Sequence, residues 1–270
     1  MHETDIAVIG AGIAGASVAA ELAAAGRRVV VLEAEATPGY HTTGRSAALW
    51  ILNYGPRDAR LLTGASRGFF ETPPPGFADH PLTHRRAVLN IAPPGQEQKL
   101  AAMLAEGEGM RAIGPGEACA LLPALRREAV VGAAVEEDAF DIDVAALHQG
   151  YLRMLRASGG QLVTGARAER LTRKAGRWEI VTPAGAFAAP ILVNAAGAWG
   201  DVVARLAGVS PLGLTPMRRT ALLVDGPPGH DPAEWPLVGD VAHTWYARPE
   251  ARRKLMLSPA DETPMEPCDV

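Results

Sequence analysis

The sequence predicts an α/β fold that opens with a βαβ unit, and three observations predict it. Asp5-Ile6-Ala7-Val8-Ile9 is a short, β-branched and apolar run of the kind buried in a parallel sheet, and it leads straight into Gly10-Ala11-Gly12-Ile13-Ala14-Gly15. The stretch that follows is alanine-rich through Ala25 and meets a helix stop at Gly26. A second β-branched run, Arg28 to Leu32, then ends at an acidic residue, Glu33.

Strand, glycines, helix stop and acidic residue agree in phase, which a chance glycine-rich turn would not. Gly10 permits the tight strand-to-helix turn, Gly12 lets backbone N–H groups approach a pyrophosphate, and Gly15 lets the helix pack closely on the strand. Ile13 and Ala14 complete the turn, where an anion meets the positive end of the helix. Glu33, with Ala34 beside it, can accept hydrogen bonds from the hydroxyls of an adenosine ribose, and its charge disfavours a 2′-phosphate. The unit therefore reads as Rossmann-like and dinucleotide-binding.

The rest of the composition narrows the class. With 270 residues, 48% of them apolar, the chain can bury a substantial core in one large or two modest domains. Net charge is −4 and the basic pairs, Arg85-Arg86 among them, are short and scattered, so each reads as solvated surface and nucleic acid is excluded as a partner. Cys119 and Cys268 have no spacing suggestive of a zinc site or a disulfide framework, and both are expected to be at least partly buried. No basic-then-apolar leader and no run long enough to span a membrane is present, so a cytoplasmic location is expected by default.

A nicotinamide-dependent dehydrogenase would continue from the acidic residue through another helix to a third strand. This chain instead gives Pro38-Gly39-Tyr40-His41-Thr42-Thr43-Gly44-Arg45-Ser46-Ala47-Ala48, a loop whose hydroxyls and arginine offer donors to phosphate and ribityl oxygens beside a bulky ring. Further on, Asp143 is placed to cap a helix from Val144 to Ala157 that Gly159-Gly160 stops. Strands are expected at Gln161 to Thr164, Ala166 to Thr172, Arg177 to Thr182 and Phe187 to Ala189, with a turn at Lys174-Ala175-Gly176. Ile191 to Val193 reads as a buried strand ending at Asn194-Ala195-Ala196-Gly197, whose small residues allow a ligand close to the carboxyl edge of the sheet. Trp199 is expected in the core, with a cover over an adenine as the alternative, and Asp201 is expected to cap or begin a helix toward Ala207.

On the first fingerprint, the Thr-Gly-Arg-Ser-Ala-Ala segment and Val193-Asn194-Ala195-Ala196-Gly197-Ala198-Trp199, the chain resembles the FAD-dependent oxidoreductases of the D-amino-acid oxidase superfamily, along essentially its whole length. The resemblance implies FAD as cofactor. Gly10, Gly12 and Gly15 would face its pyrophosphate, Glu33 its ribose, and Thr43, Gly44, Arg45, Ser46 and Ala47 would run past the phosphates toward the isoalloxazine. The adenine would lie along Arg167 and Ala168, and Asn194 to Gly197 would approach the cofactor from the other side. Relatives with a histidyl-linked flavin carry the histidine within the second loop, where this chain has Ser46, which implies non-covalent FAD.

The resemblance also implies two discontinuous domains: a Rossmann-like FAD-binding domain of residues 1–81 and 138–210, and an interleaved α+β substrate domain of residues 82–137 and 211–270 on a mostly antiparallel sheet. Within the latter, Ala87 to Ile91 reads as a strand, Gln96 to Ala105 as a helix, and Met217 to Val224 as a strand. Oxidases of this family hold a substrate carboxylate with arginine and tyrosine over the flavin ring, and Tyr246 and Arg248 are the candidates here. The implied reaction is hydride transfer from a small amino acid or 2-hydroxy acid to flavin N5, with oxygen or a quinone as electron acceptor. Neither His41 nor His243 is assigned as a base. Family members continue well past the equivalent of Val270, so the resemblance implies a substrate domain incomplete at the C-terminus, with a missing C-terminal chain as partner. The alternatives are an inactive fragment that keeps an adenine-dinucleotide half-site as a binding module, and an NAD-dependent enzyme.

Overall fold

The computed structural model describes residues 1–269. Its first layer is a four-stranded parallel sheet in the order Gln161–Val163, Val29–Leu32, Ile6–Ile9, Ile191–Asn194. Every residue of the two inner strands is buried, as an apolar run without polar alternation requires. The pleat divides their side chains. Ile6, Val8, Val29 and Val31 pack against the helices Ile13–Ala24 and Val144–Ala157. Ala7, Ile9, Val30 and Leu32 face an antiparallel meander of Arg170–Lys174, Arg177–Thr182 and Gly185–Ala189.

Local chemistry accounts for these elements. The first helix has Ala16, Ala19, Ala20 and Ala23 on its buried side, small enough for close approach to the sheet, and Gly26 follows it at φ +81°. Asp143 caps the second helix by accepting the Ala146 amide at 2.8 Å. The meander's first hairpin closes through Ala175 and Gly176, both at positive φ, with Lys174 paired to Arg177, the geometry of a two-residue primed turn.

The second body is a seven-stranded sheet in the order Leu222–Asp225, Lys254–Ser258, Tyr246–Glu250, Leu237–Asp240, Val88–Ala92, Gly132–Glu136, Met110–Ile113. It is antiparallel apart from the parallel pair Leu237–Asp240 and Val88–Ala92. One face packs Leu89, Ile91, Val135 and Val238 against Ala118, Leu122 and Trp235. The other carries Val88, Leu237 and Tyr246 against Leu49 and Ile51, the residues that leave the glycine-rich second loop. A three-stranded sheet of Leu49–Trp50, Phe140–Ile142 and Thr83–Arg85 links the two bodies, with Trp50 and Phe140 stacked at 4.8 Å.

Several expectations need correction. The stretch after Ala166 stays irregular until Arg170, because its backbone turns away from the parallel sheet toward the meander. Met217 to Val224 is two strands in two sheets: Met217–Arg218 pairs with Thr263–Pro264, and Leu222–Asp225 joins the seven-stranded sheet. Asp201 begins its helix, Gly200–Leu206, to within one residue, but its carboxylate does not cap it and accepts the amides of Leu212, Gly213 and Leu214 at 2.9–3.0 Å. Arg86 is not solvated surface. Its side chain is 9% exposed and donates to Asp141 and to the Ala233 and Trp235 carbonyls. Cys268 is exposed. Among the described residues no helix is long and apolar enough to cross a membrane.

Candidate functional site

At the carboxyl ends of the parallel strands lies a cleft of about 630 Å³, within the range of small-molecule sites. Gly10, Gly12, Glu33, Ala34, Thr43, Arg167, Ala168, Ala195, Ala196 and Gly197 line it, so the three separated motifs converge on one cavity.

Each glycine of the first turn meets different surroundings. Gly10 sits at φ +97°, and a Cβ there would stand 2.5 Å from the Ala195 carbonyl oxygen. A Cβ on Gly15 would stand 1.8 Å from the Gly10 oxygen, so this third glycine serves helix-on-turn packing and does not line the cleft. Gly12 has only the Thr43 hydroxyl near it, at 3.1 Å. That hydroxyl accepts the Ile13 amide at 3.0 Å and so ties the second loop to the helix start. Glu33 is 8% exposed and its two carboxylate oxygens accept the amides of Ala11 and Glu35, at 2.7 and 2.9 Å. Each oxygen keeps a lone pair for a further donor.

Other expected contacts stand behind the cleft. Ile13 packs with Phe77 and Leu147, and Ala14 is exposed on the helix. Gly44 donates to the Gly39 carbonyl and Ser46 accepts the Ala48 amide, both shaping the loop. Arg45 lies over the Tyr40 ring and 3.3 Å from Asp269. Asn194 donates to the Gly200 carbonyl at 2.7 Å and fixes the following turn. Trp199 lines the cleft, its ring 4.6 Å from that of His41, and is not a core residue. His41 in turn pairs with Glu35, which also faces Arg167. Tyr40, His41, Glu35 and Arg205 are cleft residues to which sequence reasoning assigned no cofactor contact. The first three adjoin the residues it chose, and nothing local marks Arg205.

Tyr246 and Arg248 point from one face of their strand toward the end of the second loop, outside the cleft. Arg248 is buried and committed: it donates to the Ala47 carbonyl, and its guanidinium lies 3.3 Å from Asp141 and 3.4 Å from Glu250. Asp141 thus serves both Arg86 and Arg248, and no bidentate edge of Arg248 is left for a substrate carboxylate in this arrangement. Nearby, Glu136 is buried on the same sheet and accepts the Leu52 amide at 2.9 Å, while its second oxygen has no partner. Burial pushes this carboxyl above its usual range, against the opposing hydrogen bonds from Asn53 and Leu52.

A cleft at the carboxyl edge of a parallel sheet, bordered by a glycine-rich turn, marks a dinucleotide-binding fold, here joined to a second, mostly antiparallel sheet. Residues 5–268 match the family model described as FAD dependent oxidoreductase (DAO), and the chain belongs to that family. Its cofactor is FAD. The fold is similar to glycine oxidase from Geobacillus kaustophilus, with a TM-score of 0.83 at 20% identity over 100% of this chain and 74% of that one. It is similar as well to the FAD-bound L-alpha-glycerophosphate oxidase from Mycoplasma pneumoniae (TM-score 0.85, 16% identity, 100% and 73%). L-proline dehydrogenase from P. horikoshii matches with a TM-score of 0.73 at 19% identity, over 95% of this chain and 69% of that one.

The residues present fit the adenosine-diphosphate end of FAD. At Gly12, where no backbone crowds the missing side chain, a diphosphate can come close; Glu33 offers acceptors for ribose hydroxyls, and Ala166 to Ala168 and Trp199 line the same cleft.

Proposed function

We propose that this FAD-dependent oxidoreductase oxidises a small amino acid or 2-hydroxy acid at the carbon that bears the amine or hydroxyl, with oxygen or a quinone as electron acceptor. Bound FAD supplies a two-electron hydride acceptor at N5. Residues 1–81 and 138–210 would carry the cofactor, and residues 82–137 and 211–270 the substrate side. The observation that supports this reading most is the meeting of Tyr246 with Leu49 and Ile51, just where the cofactor loop ends. That face of the seven-stranded sheet sets the Tyr246 phenol and the buried Arg248 among the apolar side chains of Val88, Leu237, Leu49 and Ile51, where a small polar substrate can be oriented. Two of the structurally similar proteins are by name a glycine oxidase and an L-proline dehydrogenase, which favours an amino acid.

Tyr246 is the proposed substrate contact. Arg248 is assigned a different part: through the Ala47 carbonyl it holds the end of the loop against the sheet, unless a substrate carboxylate displaces Asp141 from it. The FAD is proposed to be held without a covalent link.

Anaerobic mixing of the flavin-loaded protein with glycine derivatives, D- and L-amino acids and 2-hydroxy acids tests the reading. At least one is expected to bleach the flavin absorbance near 450 nm, about tenfold more slowly in Tyr246→Phe if the phenol contributes one hydrogen bond to orientation. No bleaching by any member of the panel would refute the substrate class. Acid precipitation is expected to leave the yellow colour in the supernatant; colour in the pellet would show a covalent bond.

A further inference from the structure

His148 is 4% exposed, lies on the helix Val144–Ala157 far from the glycine motif in sequence, and is not accounted for by the helix's own packing. Its Nε2 stands 2.8 Å from the carbonyl oxygen of Ala11. A carbonyl only accepts, so Nε2 carries the hydrogen and donates it. On its other side the ring meets Gly39, where a Cβ would stand 3.0 Å from Cε1 and 3.3 Å from Nδ1. His148 therefore sits beneath both cofactor loops at once, bonded to the first and in contact range of the second.

The peptide plane gives this contact its meaning. In a trans peptide the C=O and the following N–H point in opposite directions. With the Ala11 carbonyl drawn down onto His148, the Gly12 N–H is turned the other way, and Gly12 lines the cleft. The neighbouring amides are already engaged, Ala11 by Glu33 at 2.7 Å and Ile13 by Thr43 at 3.0 Å. Of the successive amides of Ala11, Gly12 and Ile13, that leaves Gly12's as the one that no side chain takes up among the described residues.

We infer that His148 is a positioning residue for the phosphate-binding turn: its bond to the Ala11 carbonyl fixes the Ala11–Gly12 peptide so that the Gly12 N–H is presented to the FAD diphosphate. Without that donor the peptide is free to rotate, and ordering it on binding costs affinity. The bond requires a distal N–H, and glutamine supplies one at the same reach while leucine fills the space without it.

The test is titration of FAD into the apo-protein, read by flavin fluorescence, with the melting temperature of each apo-protein measured alongside. No substrate enters, so the outcome is independent of the proposed reaction. His148→Gln is expected to bind FAD within about twofold of the parent, and His148→Leu about tenfold more weakly, the effect of one net hydrogen bond. His148→Gln is expected to melt like the parent and His148→Leu a few degrees lower, since it leaves the buried Ala11 carbonyl without a donor, so affinities are read well below every melting temperature. His148→Asn, whose amide is one bond too short for Ala11, gives the same contrast should leucine prevent folding. Parent-like affinity in His148→Leu or His148→Asn would overturn the inference. So would His148→Gln binding as weakly as those variants, since the ring's shape and not its donor would then matter.

Discussion

The three glycines of the first turn do different work, and the space around each predicts a different failure. At Gly10 an added methyl meets backbone at 2.5 Å while φ is +97°, and neither the Ala195 carbonyl nor the turn can yield cheaply. Gly10→Ala is expected to destabilise the fold by about 2–6 kcal/mol, combining backbone strain with overpacking. At Gly12 the only neighbour is a rotatable threonine hydroxyl at 3.1 Å. Gly12→Ala should therefore leave the apo-protein's melting temperature almost unchanged while obstructing FAD. Paired melting and FAD-binding measurements check this, and equal loss of stability in both variants would refute it. The motif marked a turn that lines the cleft, because glycine spacing is a local signal. The commitments of Arg86 and Arg248 to Asp141 were not legible. They depend on three elements meeting, and no pattern around any one arginine records that.

At the scale of elements, the helix Val144–Ala157 rests on its cap. Asp143 is held below the usual carboxylate range first by the Ala146 amide and then by His80. Asp143→Ala is expected to cost about 0.5–2 kcal/mol near neutral pH. A depressed carboxyl contributes stability that is present above its unfolded pKa and lost as the pH falls through its folded value. The gap between parent and variant should therefore close on acidification below the ordinary aspartate range, while Asp143→Asn, which keeps an acceptor, stays near the parent. Denaturation midpoints across pH measure this, and a gap independent of pH would contradict it. Elements with such end signals were readable: this helix, the Ala175-Gly176 hairpin and the strand Arg177–Thr182. The amphipathic helix Arg57–Glu71 went unnoticed, as it has no side-chain cap and no fully buried residue. Met217 to Val224 reads as one apolar run, and only the partners available in two sheets divide it.

For the molecule as a whole, one cleft joins segments that the chain order keeps apart: the first turn, the second loop, Ala166 to Ala168 and Ala195 to Trp199 all border it. A ligand that binds only this assembled state stabilises it by mass action. At a hundredfold excess over its dissociation constant, FAD is expected to add about 2.7 kcal/mol, a rise of roughly 5–11 °C in melting temperature for a chain of this size. ADP, which fills the same end of the cleft, should give a smaller shift of the same sign. Differential scanning of the apo-protein with each ligand reads both, and no shift with FAD would remove the cleft from consideration as its site.

The same discontinuity bears on biosynthesis. Ile6–Ile9 and Val29–Leu32 emerge early, yet the strand that closes one side of their sheet, Ile191–Asn194, pairs with Ile6–Ile9 only after the intervening chain has been made. At ribosomal rates of about 5–20 residues per second, the nascent protein carries an open, wholly apolar strand edge for roughly 10–40 s. During that interval it is a natural client for chaperones that cover extended hydrophobic segments, and its yield in a cell depends on how well that exposed edge is sheltered.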